Sequence, residues 1–231
     1  MPKTPQDQRP QSQAATRDLT PLLRLAMAGS FLLLLLFVTL TRLHAAEPMR
    51  ILAFGDSLSA GYQLPAGKGF TDQLQKSLTE QGLNVEVINA AVSGDTSANG
   101  LSRLDWSTPD GIDLVVLELG ANDALQGLPV DKTKANLAAM IEKFRAKGAK
   151  VALMGMKAPP NMGQTYVSAF DAIYPALAEE MNVPLLPFFL EGVAGDPSLN
   201  LADGIHPNPQ GIEIIVSNVA PFLLDIVKDL N

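Results

Sequence analysis

The chain contains no cysteine among its 231 residues. Disulfides, thiolate zinc sites and thiol nucleophiles are therefore excluded. Histidine is nearly as scarce, with only His44 and His206, too few for a histidine-rich metal centre. No G-x-S-x-G elbow is present, which argues against the usual α/β-hydrolase arrangement. No P-loop or G-x-G-x-x-G follows an apolar run, so nucleotide binding has no support. The string "PAGKGF" (65–70) sets a lysine between two glycines without P-loop spacing and reads as a turn before a helix.

What is present divides into a leader and one domain. Residues 1–24 are polar, rich in proline and glutamine, and carry Lys3, Arg9, Arg17 and Arg24. An apolar run, "LAMAGSFLLLLLFVTLT", covers residues 25–41, and the small residues Ala45 and Ala46 follow it. A basic lead, an apolar run and a small-residue site make a secretory signal cleaved near Ala45 or Ala46. The competing reading is an uncleaved membrane anchor through residues 25–41, since the run is about long enough to span. Either way the basic lead stays cytoplasmic and everything after residue 46 is exported. The expected location is periplasmic or secreted. Taking the five Lys/Arg and two Asp/Glu of residues 1–45 from the totals of 17 and 24 leaves 12 basic and 22 acidic residues, a net charge of −10. Nucleic acid and anionic membrane surfaces are poor partners for such a domain. It is expected to act as a monomer on a small molecule.

Residues 46–231 alternate between strand and helix patterns. Short apolar runs at 50–55, 84–90, 113–120 and 150–156 read as buried parallel strands. A fifth, "VPLLPFF" (183–189), carries two prolines and suits an edge or a short strand. Helical patterns fall at 70–82, 131–148, 166–182 and 208–230, with Pro175 and Pro221 expected to bend or interrupt the last two. The alternation predicts an α/β fold: a parallel sheet of about five strands with helices on both faces. Repeats, a second domain and an internal linker are not evident. In such a fold the ligand site lies beyond the carboxyl ends of the strands. Three polar clusters fall there: "GDSLSAG" after the first strand, "AVSGDTSANG" after the second and "GANDALQG" after the third.

Asp203 and His206, three residues apart in "ADGIHPNPQG", can share one side of a turn. A carboxylate there accepts from imidazole Nδ1–H and leaves Nε2 free as a base. Ser57 is the hydroxyl that Nε2 deprotonates. The alternatives are a capping serine and an exposed loop histidine beside an N-cap aspartate. An acyl-transfer site also needs oxyanion donors. The candidates are the N–H of Ser57, the N–H of Gly94 and the Asn122 amide. Read singly, Gly94 could be a turn glycine, and Asn122 and Asp123 could be loop-stabilising side chains. Asp56 reads as loop structure rather than as part of a triad.

The blocks "GDSL" at Ser57, "SGDTS" at Gly94, "GAND" at Asn122 and "DGIHP" at Asp203 and His206 resemble those of the GDSL/SGNH hydrolases, in order over residues 50–230. Longer strings, among them "AIYPALAEEMNVPLLPFF", resemble its multifunctional thioesterase, lysophospholipase and arylesterase branch. The resemblance implies a three-layer α/β/α, flavodoxin-like fold. It also implies Ser57 as nucleophile, His206 as base, Asp203 as orienter, and Ser57, Gly94 and Asn122 as the oxyanion hole. Ala121 departs from the glycine that close relatives often carry, which should stiffen that loop. The implied chemistry is hydrolysis of fatty acyl esters and thioesters, with no metal or organic cofactor. Apolar loop residues at the same sheet edge, notably Leu125, Leu128, Pro159, Phe188 and Phe189, are candidates for the acyl pocket. A carbohydrate O-acetyl esterase is the alternative enzyme, and a non-catalytic lipid-binding module the alternative outside enzymes.

Overall fold

The computed structural model describes residues 47–228. The expected signal or anchor segment lies outside the described residues. The strands are β1 (Met49–Gly55), β2 (Val85–Asn89), β3 (Leu114–Glu118), β4 (Lys150–Met154) and β5 (Leu185–Leu186). All pair in parallel, in the order β2-β1-β3-β4-β5. Every residue of β3 is buried, as are the last five of β1. Continuous apolar runs of this kind can be satisfied only by a sheet covered on both faces.

The helices are α1 (Ser57–Ala60), α2 (Phe70–Glu80), α3 (Ser97–Ser107), α4 (Ala121–Leu125), α5 (Val130–Ala146), α6 (Gln164–Asp171), α7 (Ile173–Met181) and α8 (Pro209–Lys228). Helix α2 packs on α8, while α5 packs on both α3 and α7. The reversal of strand order between β2 and β3 sends the crossovers to opposite faces, giving the three-layer, flavodoxin-like arrangement. That reversal opens a crevice beyond the carboxyl ends of β1 and β3.

Three differences from the sequence reading have physical causes. The single helix expected over 166–182 is two helices joined at Ala172. Pro175 lies in the first turn of α7, where its missing N–H leaves no bond unmade. Pro221 does not interrupt α8, which starts on Pro209 and is capped by Asn208 Oδ1 accepting from the N–H groups of Gln210 and Gly211, both at 3.0 Å. Helix α3 is not predicted by the sequence pattern. Its buried face is Ser97, Gly100, Arg103 and Leu104, so it has little apolar periodicity to detect. Thr96 and Asn99 form a capping box that starts it.

Candidate active site

Ser57 is the first residue of α1, directly beyond β1. The N-cap is Asp56, whose Oδ1 accepts from the Leu58 N–H at 3.0 Å. The capping that the serine could have supplied is thus done by its neighbour, and the Ser57 hydroxyl is left for other contacts. His206 Nε2 lies 2.8 Å from Ser57 Oγ, and His206 Nδ1 lies 2.7 Å from Asp203 Oδ2. The other carboxylate oxygen, Asp203 Oδ1, accepts from the N–H groups of Ile205 at 2.9 Å and His206 at 3.0 Å. The chain around His206 is held by the Leu201 N–H donating to His206 O at 2.7 Å and by a bridge between Asn200 and Pro207. The Tyr62 ring lies against the imidazole, centroids 4.5 Å apart.

Two aspartates at this site are driven in opposite directions. The N–H groups of His206 and Ile205, and then the His206 ring, hold Asp203 down at about 2. Asp203 keeps 37 % of its side chain exposed, and water and these donors favour its charge. Asp56 is fully buried, and desolvation pushes it up to about 6 against the Leu58 N–H, the His206 charge and the Asn122 amide. Beneath it Glu118 is also fully buried, raised well above the ordinary carboxyl value by burial and then by the Asp56 charge. Glu118 Oε2 accepts from Ser59 Oγ at 2.8 Å and the Asp56 N–H at 3.3 Å, while Oε1 is buried without a partner among the described residues. A neutral Glu118 avoids a second buried charge beside Asp56.

Asn122 lies on the second residue of α4, and its Nδ2 donates to Asp56 Oδ2 and to the Asp95 carbonyl, both at 3.0 Å. Two acceptors on one side fix the amide with nitrogen rather than oxygen toward Ser57's neighbour. Asp123 faces the other way and accepts from Ser97 N–H at 2.7 Å, Ser97 Oγ at 2.5 Å and Thr133 Oγ1 at 3.0 Å, tying α4 to α3 and α5. Ala121 is helical, and the unusual backbone falls on Gly120, with φ 122. The alanine therefore sits where alanine is favoured. Gly94 has φ 88, and a Cβ there would meet nothing within 4 Å, so backbone conformation rather than space requires glycine. Among the described residues, neither the Ser57 N–H nor the Gly94 N–H has a protein acceptor.

A cavity of about 700 Å³ opens beside these groups, lined by Ser57, Asn122 and His206 together with a mostly apolar wall. Leu125, Pro159 and Phe188 line it, as do Met156, Ala158 and Leu190. Among the described residues Lys157 is the one lysine or arginine on the wall, and its Nζ lies 4.6 Å over the Phe188 ring. Two expected pocket residues are elsewhere. Phe189 is fully buried in the core, edge-on to Phe70 at 5.1 Å. The chain turns directly after β5, with the Glu191 N–H donating to the Phe188 carbonyl at 3.3 Å, and the turn leaves Phe188 on the cavity wall while Phe189 packs inward. Leu128 is half-buried away from the cavity lining, and its carbonyl accepts from Tyr166 Oη at 2.9 Å. Glu118, Arg103 and Tyr62, all close to the site, went unrecognised in the sequence, because nothing local marks a buried glutamate at the end of an apolar strand. No group of side chains suited to a metal ion occurs among the described residues.

The sequence model of the GDSL-like Lipase/Acylhydrolase family matches residues 53–214. An arylesterase of Vibrio mimicus is 45% identical over 195 residues, covering 83% of this chain and 96% of its own length. Esterase TesA of Pseudomonas aeruginosa is 44% identical over 190 residues, covering 82% and 94%. Thioesterase 1/protease 1/lysophospholipase L1 of Escherichia coli is 39% identical over 202 residues, covering 84% and 92%. Among solved structures, the psychrotrophic esterase EstA from Pseudoalteromonas sp., inhibited by monoethylphosphonate, superposes with a TM-score of 0.73 at 35% identity over 78% of this chain and 98% of its own.

Proposed function

Because the chain belongs to the GDSL-like lipase/acylhydrolase family and is an ester hydrolase, we propose that it cleaves carboxylic esters and thioesters of fatty acyl chains through an acyl-enzyme on Ser57. The observation that carries this reading is the unbroken line from Ser57 Oγ through His206 to Asp203, with links of 2.8 and 2.7 Å. In the proposed reaction Ser57 Oγ bonds to the acyl carbon while its proton passes to His206 Nε2. Asp203 holds Nδ1–H and stabilises the imidazolium. The carbonyl oxygen takes up the negative charge and is met by the Ser57 N–H, the Gly94 N–H and Asn122 Nδ2, one of whose two hydrogens, donated to Asp56 and Asp95 in the resting site, is then shared with it. Collapse breaks the C–O or C–S bond, and His206 returns its proton to the leaving alkoxide or thiolate. A water molecule then attacks the acyl-enzyme by the same route, releasing the acid and restoring the Ser57 proton.

Thioester cleavage is proposed from the likeness to the Escherichia coli relative, and the apolar wall of the cavity supports fatty acyl chains over acetyl. Each methylene buried there can add up to about 0.8 kcal/mol, roughly fourfold in kcat/KM. The test is a kcat/KM series from C2 to C16 on matched oxoesters and thioesters, with Ser57→Ala as control. We expect rates rising with chain length until the cavity is filled, and a loss of roughly 10³-fold or more in Ser57→Ala. A maximum at C2, or turnover surviving in Ser57→Ala, overturns the reading.

Residues 25–41 are proposed to export the domain, as a signal cleaved near Ala45 or Ala46 or as an anchor. Cell fractionation and the mass of the mature chain distinguish the two, and a cytoplasmic protein would refute both. The domain is proposed to act as a monomer, which light scattering on a sizing column tests directly.

A further inference from the structure

We infer that Arg103 is a positioning residue for the oxyanion donors: its buried guanidinium ties the Ser57 and Gly94 loops together directly and reaches Asn122 through Asp95. The inference rests on the proposed roles of Ser57, Gly94 and Asn122. Arg103 projects from α3 and is only 5 % exposed. Its Nη2 donates to the Gly55 carbonyl at 3.1 Å, at the end of β1 and two residues before Ser57. Its Nη1 donates to the Ala90 carbonyl at 2.7 Å, where the chain leaves β2 toward Gly94, and to Ser107 Oγ at 3.2 Å. Its Nε donates to Asp95 Oδ2 at 2.5 Å. The plane is held over the Phe54 ring, 4.0 Å from its centroid.

Between them the contacts bear on two of the donors directly and on the third through Asp95. The Gly55 carbonyl anchors the turn that presents the Ser57 N–H. The Ala90 carbonyl and the Asp95 carboxylate pin both sides of Gly94. The Asp95 carbonyl, on the residue whose side chain Arg103 holds, accepts from Asn122 Nδ2 at 3.0 Å. A planar fork with five donors can hold these four acceptor groups at fixed angles, and an ammonium cannot. The guanidinium also supplies the counter-charge for Asp95, which is 9 % exposed. Donors directed at a developing charge act best when they need no rearrangement at the moment of reaction. A rigid, buried cross-link among their loops provides that.

The test compares Arg103→Lys and Arg103→Ala with wild type, Ser57→Ala and Asn122→Ala on a soluble p-nitrophenyl ester. In Arg103→Lys we expect kcat to fall by roughly 10²-fold, the order of a lost oxyanion donor, with KM within about threefold. Affinity for an alkylboronic acid, which mimics the tetrahedral intermediate, should fall in parallel, while affinity for the fatty acid product stays within about threefold. In Arg103→Ala, added guanidinium chloride at millimolar concentration should restore activity about tenfold, and equal methylammonium or sodium chloride should not. If Arg103→Ala does not fold, Arg103→Lys decides alone. The inference is overturned if folded Arg103→Lys keeps wild-type kcat, if its activity merely tracks its unfolded fraction, or if boronate and product affinities fall together. A Ser57→Ala variant that keeps turnover instead overturns the acyl-enzyme reading beneath it, whatever Arg103 does.

Discussion

Replacing Asp56 with asparagine should make the protein more stable at neutral pH and less active, and the size of both effects follows from the geometry around it. Burial raises this carboxyl from 3.8 to about 6. The folded state therefore holds the proton more tightly than the unfolded chain does. The sign is fixed by that difference: below about pH 4 Asp56 is neutral in both states and has no effect. As pH rises from about 4 to about 6 the unfolded chain gives up the proton first, so stability falls. Above about 6 the penalty levels off at about 3 kcal/mol, from roughly two pKa units at about 1.4 kcal/mol each. Asparagine has no such dependence. It can still cap Leu58 through Oδ1, but its own NH2 then meets Asn122 Nδ2, two donors face to face, for a pH-independent loss of about 1–2 kcal/mol. Removing the Asp56 charge also lets Glu118 ionise more readily, which acts in the same direction. Urea unfolding of both proteins between pH 4 and 8 should show the stability of Asp56→Asn relative to wild type climbing by about 3 kcal/mol between pH 4 and 7. A difference that is flat or falling with pH would refute the reasoning. In the same variant kcat should drop, because Asn122 loses the acceptor that orients its amide.

Other expectations follow from the same contacts. Asn122→Ala should lower kcat by about 10²–10³-fold, and a change confined to KM would argue against an oxyanion role. Asp203, held at about 2, supplies stability that is complete above the ordinary carboxylate range and is lost as pH falls through about 2. Urea unfolding followed by circular dichroism should therefore show wild type more stable than Asp203→Asn by a constant margin above about pH 4, and the margin should shrink as pH falls from about 4 through about 2. Phe188→Ala should weaken long acyl substrates with little change in thermal midpoint. Phe189→Ala, a core truncation, should destabilise by about 3–5 kcal/mol; the opposite pattern would mean that the two rings have been assigned to the wrong sides.

Much of this architecture is legible in the sequence because strand and helix periods are local. The runs at 50–55, 113–120 and 150–156 are apolar on both faces and fall on β1, β3 and β4. The polar blocks at their ends point to the crevice. Helix α3 escapes the same reading because its inward face is serine, glycine and arginine, chosen for hydrogen bonds and close approach rather than for apolar area. Arg103, whose guanidinium bonds to Gly55, Ala90 and Asp95 across the site's loops, looks in the sequence like one more surface cation. The split between α6 and α7, and the division of labour between Phe188 and Phe189, likewise depend on what the chain packs against.

The sequence by itself determined the strands and most of the helices, their order, the spacing of Asp203 and His206 within one turn, and the family. Those depend on neighbours along the chain. The tertiary structure alone decided that Ser57 and His206, 149 residues apart, meet at 2.8 Å. It also decided that of two aspartates beside that pair, Asp203 is held ionised by backbone donors at the surface while Asp56 is pushed toward neutrality by burial. The side chains are chemically identical. What separates them is the water and the hydrogen-bond donors around each, which only the folded chain specifies.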